Sequence, residues 1–385
     1  MKRIAFVLIL ILGISGTYGQ SAKVVSAYNY MKPQYNELDK AKESIDQAAV
    51  HAKTSMDAKT WYYRGQIYYK LYQSNDSKFK NLDDNPLMVS YKSFKRAKEL
   101  DVKNRWEKDL IFEIHRAASQ LFNKGIDEYE QQKYEQSLES YETVIEIGAL
   151  PYINQVDTSA YFNAALAADQ AGLYDKAIGY YKKSAELNYG GSAIYKYMAD
   201  IQMVNGDTVA ALDSYKKGIE AFPEDNVSLY IELINFYLGK EDLEQANGFI
   251  EKALEKDVEN ASLWYVYGLC LEKKDNEKAL EAFIKAIELN PEYAAAFYMA
   301  GAVHYNRGYE ANKVAQEIPL NDPEGYKAAV AKTDEHFRLA LPYFEKAIEI
   351  ESGDIETIKA LKELYYRFKM NDKLEKITKM LEDLK

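Results

Sequence analysis

Four histidines, His51, His115, His304 and His336, and one cysteine, Cys270, are the side chains best suited to proton transfer, nucleophilic attack or metal ligation. Chemistry of that kind needs them in company. A zinc hydrolase sets two histidines on one helix face around a glutamate, and a serine hydrolase mounts its nucleophile on a glycine-flanked elbow. Neither spacing occurs, and no glycine loop able to cradle a phosphate is present. The histidines lie in distant stretches of the chain, and His304 reads as a structural histidine. A lone cysteine can form neither an intramolecular disulfide nor a cysteine metal cage. The loop from Asp76 to Asp84 is acidic, but it lacks the alternating ligands and central glycine of a calcium loop and reads as a polar loop. The expectation is a chain without catalytic residues, metal or cofactor.

What the sequence does space regularly is side-chain bulk. Trp264, Gly268 and Leu271 give one helix a large, small, large stripe, and Ala279, Phe283 and Ala286 give the next the complement, with Pro291 closing the pair. Weaker copies recur at intervals of about thirty-four residues. One opens at Trp61, Gly65 and Tyr68 and is answered by Ser90, Phe94 and Ala97. Others pair Gly125 with Tyr141, Ala165 with Tyr181, Ala199 with Tyr215, Leu233 with Ile250 and Gly301 with Phe344. A helix pair of this size cannot bury its apolar stripe alone, so copies must stack.

This pattern sets the expected organisation. Residues 20–57 form an N-terminal helical cap, in which Lys40 to Lys53 stands as a lone second helix. Residues 58–353 form the array, with a loop insertion at 71–86 and a separate helix from Arg105 to Ser119 ahead of the Gly125 pair. A helical hairpin is inserted at 306–338, broken at Ile318 to Glu324. Asn321 or Asp322 can cap its second helix, Pro323 suits the first turn, and Pro342 should bend that helix further on. Residues 354–385 form a C-terminal capping repeat.

The motif resembles the tetratricopeptide repeat, and the resemblance covers nearly all of the chain. It implies an all-α fold, a right-handed superhelical solenoid of stacked helix-turn-helix repeats. It also implies a scaffold whose concave groove, lined by the first helices, holds an extended or helical peptide. One position past each leading large residue the groove would receive Tyr62, Phe122, Phe162, Lys196, Ile231, Tyr265 and Tyr298. Further along the same helices come Gln66, Tyr69, Tyr129, Asp200, Asn235 and Tyr305. Aromatics supply contact area at modest entropic cost, and the tyrosine hydroxyl adds a directional hydrogen bond. The same rings could equally be spent on packing neighbouring repeats. The family's clamp for a C-terminal carboxylate needs lysine and asparagine at set positions of adjacent repeats, and Lys196 stands without that set. Trp61 and Trp264 fall on packing positions, leaving only Trp106 free for another role.

The chain has 385 residues, 34 tyrosines and a formal charge of −11. An acidic chain without basic runs argues against nucleic acid, whose binding rests on neutralised phosphates. Lys2 and Arg3, the apolar run Ile4 to Ile14 and the small residues near Gly19 read as an export signal over 1–19. No cysteine follows that run, so no lipid anchor is expected, and no membrane span should remain after cleavage. The sequence-level expectation is therefore an exported, soluble, non-catalytic scaffold of the periplasm or outer envelope, or a secreted one, binding a protein or peptide. The chain with its export signal resembles exported tetratricopeptide-repeat proteins of Gram-negative bacterial envelopes. Two alternatives stand beside it: a glycan-binding protein for polysaccharide capture, and a structural envelope component that associates with itself.

Overall fold

The computed structural model describes residues 21–384, and the segment read as an export signal lies outside the described residues. Every regular element among the described residues is helical. The chain forms two compact units that divide between Ile201 and Gln202.

The first unit opens with a helix over 21–30 (α1), then α2 (Leu38–Val50) and a single 3-10 turn, Thr54–Met56. There follow α3 (Ala58–Gln73), the short α4 (Ser77–Lys80), α5 (Pro86–Leu100), α6 (Glu107–Glu130) and α7 (Tyr134–Gly148). It continues with α8 (Thr158–Gln170), α9 (Tyr174–Glu186) and α10 (Ala193–Val204), whose residues to Ile201 belong to it. Helix α3 pairs with α5, α6 with α7 and α8 with α9, and each pair stacks on the next.

The second unit holds α11 (Thr208–Ala221), α12 (Val227–Gly239), α13 (Leu243–Lys256), α14 (Ala261–Leu271) and α15 (Asn276–Leu289). The long α16 (Ala294–Glu317) and α17 (Pro323–Ile350) follow, then α18 (Ile355–Arg367) and α19 (Asn371–Asp383). Here α12 pairs with α13, α14 with α15, α16 with α17 and α18 with α19.

One device starts most helices of the second unit. An aspartate just outside the helix accepts a backbone N–H three residues on, from Asp207 to Ala210 at 3.0 Å, Asp242 to Gln245 at 3.1 Å and Asp275 to Lys278 at 3.1 Å. Asp322 and Asp354 do the same for α17 and α18. Each such cap contributes roughly 0.5–2 kcal/mol by satisfying a donor that the helix leaves open.

Inside a pair, an aromatic ring of the second helix lies over a small residue of the first. A Cβ added to Gly65 would stand 2.5 Å from the Phe94 ring, one on Gly268 2.5 Å from Phe283, and one on Gly301 2.9 Å from Phe344. Ser90 and Ser137 use the same close approach to donate to the carbonyls of Gly65 at 2.8 Å and Gly125 at 2.7 Å. The tryptophans tie each pair to the connection before it. The indole N–H of Trp61 donates to the Ser55 carbonyl at 2.8 Å, and that of Trp264 to the Val258 carbonyl at 2.7 Å.

Several tyrosines act between repeats. On α5, Tyr91 donates to Glu146 of α7 at 3.0 Å while Lys95 reaches the same carboxylate at 2.5 Å. Tyr180 and Lys176 of α9 share Glu142 at 2.8 and 2.7 Å. Tyr365 of α18 and Lys373 of α19 share Glu345 of α17 at 3.0 and 2.6 Å.

Three local readings are revised. Helix α2 is not alone, since Val24, Ala27 and Met31 pack with its Leu38, Ala41 and Ile45. The segment read as a separate helix from Arg105 is continuous with the first helix of the next pair, forming the 24-residue α6. The polar stretch after α3 contains α4, whose Phe79 is buried against the α2 and α3 core. Pro342 lies inside α17, which runs on unbroken to Ile350.

Candidate partner-binding face

The residues expected in a groove lie on α3, α6, α8 and α10 in the first unit, and on α12, α14 and α16 in the second. The structure gives a shared reason for where the aromatic ones sit. The ring overhanging each small residue also meets the side chain three positions before it, on the same helix face. Tyr62 thus lies 6.2 Å from Phe94, Phe122 5.4 Å from Tyr141 and Phe162 6.2 Å from Tyr181. In the second unit Tyr265 lies 5.9 Å from Phe283 and Tyr298 5.7 Å from Phe344. Each of these aromatics is half-buried, and a further ring also packs on Tyr62 (Trp106), on Phe162 (Tyr189 and Tyr197) and on Tyr265 (Tyr293).

The remaining positions differ. Tyr69 is a correction, being buried at 5% exposure, with the Arg116 guanidinium of α6 lying 3.8 Å above its ring. The extra length of α6 is what covers it. Gln66 and Tyr129 are half-buried, Tyr129 meeting Tyr134 edge-on, and Asn235 is exposed. Lys196 and Asp200 form an ion pair of 3.2 Å within α10. Tyr305 packs on Phe337 and Phe344 and donates to Glu363. Trp106 is not free, since it stacks flat on Tyr62 with centroids 5.8 Å apart. Trp61, Trp106 and Trp264 are each half-buried.

Two clefts mark these faces. In the first unit a cleft of about 320 Å³ is lined by Phe122, His115, Ser119 and Asn123 of α6, with Gln155 and Asp157 beyond. In the second unit one of about 340 Å³ is lined by Tyr298, Tyr305, Glu272, Glu356, Lys359 and Glu363. Carboxylates outnumber cations in the latter. Burial, then Asp354, Glu356 and Glu272, raise the Tyr298 phenol above its ordinary value, and burial with the Glu363 hydrogen bond raises Tyr305. Both are therefore neutral hydrogen-bonding groups across the physiological range.

Sequence reasoning missed several groups on these faces, and one register would have found two of them. Seven residues after a groove aromatic brings a helix back to the same face. That step leads from Phe122 to Tyr129 and from Tyr298 to Tyr305. Applied everywhere it also leads from Phe162 to Asp169 and from Tyr265 to Glu272.

The groups suited to catalysis are dispersed, with one exception. His304 on α16 and His336 on α17 lie near enough to interact electrostatically, each with a buried Nδ1 that has no hydrogen-bond partner. His304 stacks on Tyr343 with centroids 5.8 Å apart, and burial, then Arg307 and His336, hold its pKa below the usual imidazole value. Cys270 is buried and its thiol pKa is raised by burial alone, which keeps it protonated. Asp76 caps α4 through Lys78 at 2.9 Å. Among the described residues no group of three or more histidine, cysteine or acidic side chains is placed to hold a metal ion. No described helix is long and apolar enough to cross a membrane.

The sequence matches the tetratricopeptide repeat family over residues 122–191 and 162–226, and the TPR repeat family over 268–308. A TPR repeat-containing protein of Methanocaldococcus jannaschii is 32% identical over 123 residues, which is 30% of this chain and 21% of that protein. The match therefore spans about a fifth of that relative's length. Among solved structures, the C-terminal part of a TPR repeat-containing protein from Cytophaga hutchinsonii is 18% identical. It covers 68% of this chain and 95% of its own, with a TM-score of 0.46. YrrB, described as a TPR protein with an unusual peptide-binding site, is 23% identical, covering 54% of this chain and 92% of its own at a TM-score of 0.37.

Proposed function

We propose, from the premise that this chain is a tetratricopeptide-repeat protein, that it is an exported scaffold which docks a segment of a partner protein against the first helices of its repeats. The observation that carries the reading is that the same half-buried aromatic recurs on the first helices within each unit. Tyr62, Phe122, Phe162, Tyr265 and Tyr298 are each braced from behind by a second-helix residue. Bracing fixes the rotamer before any partner arrives, so little side-chain entropy is lost on binding. The exposed edges of these rings then offer apolar area beside polar groups such as Gln66, Asn123 and Asn235, as interfaces do.

Photo-crosslinking in the native cell tests this directly. Benzoylphenylalanine placed at Tyr265, Tyr298 or Phe162 keeps an aromatic ring on its brace and should capture a discrete partner. Val209, exposed on the second helix α11, serves as the control position. Capture at Val209 with none at the three aromatic positions would sink the assignment. Fractionation of the same cells checks export, which cytosolic recovery of an uncleaved chain would contradict.

A further inference from the structure

In the second unit the first helices α14, α16 and α18 leave a groove in two parts. One is the cleft of about 340 Å³, whose apolar lining is Tyr298, Met299 and Ala302 of α16 with Phe344 of α17 and Ala360 of α18. That size falls within the roughly 300–1,000 Å³ usual for ligand pockets. The other part, of about 210 Å³, is lined by Ala294, Ala295, Ala347 and Thr357. Tyr298 and Glu356 line both, so the two adjoin. Beside the apolar lining stand the carboxylates of Glu272, Glu351, Asp354, Glu356 and Glu363, together with the ammonium of Lys359.

Two of these acids stand where a helix least favours them. Glu272 is the C-terminal cap of α14 and Glu351 that of α17. The carbonyl end of a helix carries partial negative charge and is stabilised by cations, so an anion there is unfavourable. Asp354 and Glu363 are spent within the fold, on capping α18 and on accepting from Tyr305. Glu356 pairs with Lys359 one turn on, an exposed ion pair that exchanges readily. Glu272 and Glu351 have no side-chain hydrogen bond or ion pair among the described residues. Lys273 and Lys274, next in sequence to Glu272, line a different cleft with Cys270. The acids are not gathered around one metal ion either, since no group of three among the described residues is so placed. Separate cationic heads joined by apolar bulk fit this arrangement. An ammonium or guanidinium only donates, and an ionised carboxylate only accepts.

We propose that this groove takes a partner segment in which lysine or arginine flanks a large apolar residue, the apolar side chain lying on Tyr298 and the cationic heads at Glu272 and Glu351. The inference rests on the partner-binding reading above and names the chemistry of the partner. It applies within the second unit alone.

The test is fluorescence anisotropy of the full chain with three labelled nine-residue peptides. The first repeats leucine, lysine, lysine; the second has glutamine for each lysine, and the third serine for each leucine. The first should bind at least tenfold more tightly than either of the others. Glu272→Gln and Glu351→Gln should each cut its advantage over the glutamine peptide about threefold, and the double variant should cut it to twofold or less. Neither change should lower the melting temperature, since neither carboxylate has a partner to lose. Glu281→Gln, which removes an exposed acid on the second helix α15, should leave the advantage unchanged. Equal binding of the first peptide and either comparison peptide overturns the proposal, as do equal losses in Glu281→Gln and Glu272→Gln. Spermine displacing the first peptide at equal concentration would point to a free polyamine and overturn it too. Should the glutamine peptide bind as well as the first and the groove positions still crosslink, the cation preference fails and the groove stands. Should no peptide bind and the groove positions capture nothing, both readings fall together.

Discussion

A glycine beneath an aromatic ring is the residue-scale device on which this fold depends, and it separates positions that look alike in sequence. Gly268 and Gly179 are both helical, yet a Cβ on Gly268 would meet the Phe283 ring at 2.5 Å while one on Gly179 would meet nothing within 4 Å. Gly268→Ala should therefore destabilise by about 1–3 kcal/mol through overpacking. Gly179→Ala should stabilise by about 0.5–1 kcal/mol by stiffening the unfolded chain and favouring helix. Urea denaturation of the two variants decides it, and a destabilised Gly179→Ala would show that the contrast is misread. These positions were legible because size alternation is local and recurs at constant spacing. Tyr69 and Trp106 were not legible. Their burial depends on α6 reaching back over α3, which puts Arg116 above one ring and Tyr62 against the other. No pattern inside a single repeat reports that.

At the scale of elements, Tyr91, Tyr180 and Tyr365 link neighbouring helix pairs through carboxylates that each shares with a lysine. Glu146 receives Tyr91 from 55 residues away and Lys95 from 51, separations at which sequence pattern carries no pairing signal. Burial alone would raise the Glu146 pKa, but the Lys95 and Tyr91 hydrogen bonds outweigh it and hold it below the ordinary carboxylate value. Its stabilising contribution is thus complete above the unfolded value of about 4.3 and disappears as pH falls through the lower folded value. Glu146→Gln should cost about 0.5–1.5 kcal/mol at pH 7, a modest figure because the carboxylate is half exposed. The difference from wild type in urea should close below about pH 4, and a gap independent of pH would refute the charge-based account. The α16–α17 pair offers a second titration. His304 is held neutral by burial and by Arg307 and His336, with Glu277 opposing them. Stability from a neutral His304 is present above about pH 6.5 and lost as pH falls below it. Acidification from pH 7.5 to 5.5 should therefore loosen this pair, and His304→Phe should flatten that response in urea melts. Sequence spacing placed the two histidines apart, whereas the antiparallel pairing of α16 with α17 brings them together.

At the scale of the whole molecule, the sequence reads as one array over 58–353 with insertions at 71–86 and 306–338, and the contacts form two compact units that divide within α10. Repeat stability is a sum of each pair's own stability and its contacts with adjacent pairs, so damage should spread only as far as those contacts carry it. Phe283 is fully buried in the second unit, packed with Ala279, Ala300 and Val303. Phe283→Ala should cost about 3–5 kcal/mol through lost burial and the cavity left behind. Hydrogen exchange should then accelerate in α14 and α15, less so in α13 and α16, and hardly at all in α3 and α5. The comparison is informative because local opening free energies are read residue by residue, without assuming that the chain unfolds in one step. Uniform acceleration across 21–384 would mean that the array opens as one cooperative body. Protection lost only around Phe283 would instead leave the first unit folded while the second is open.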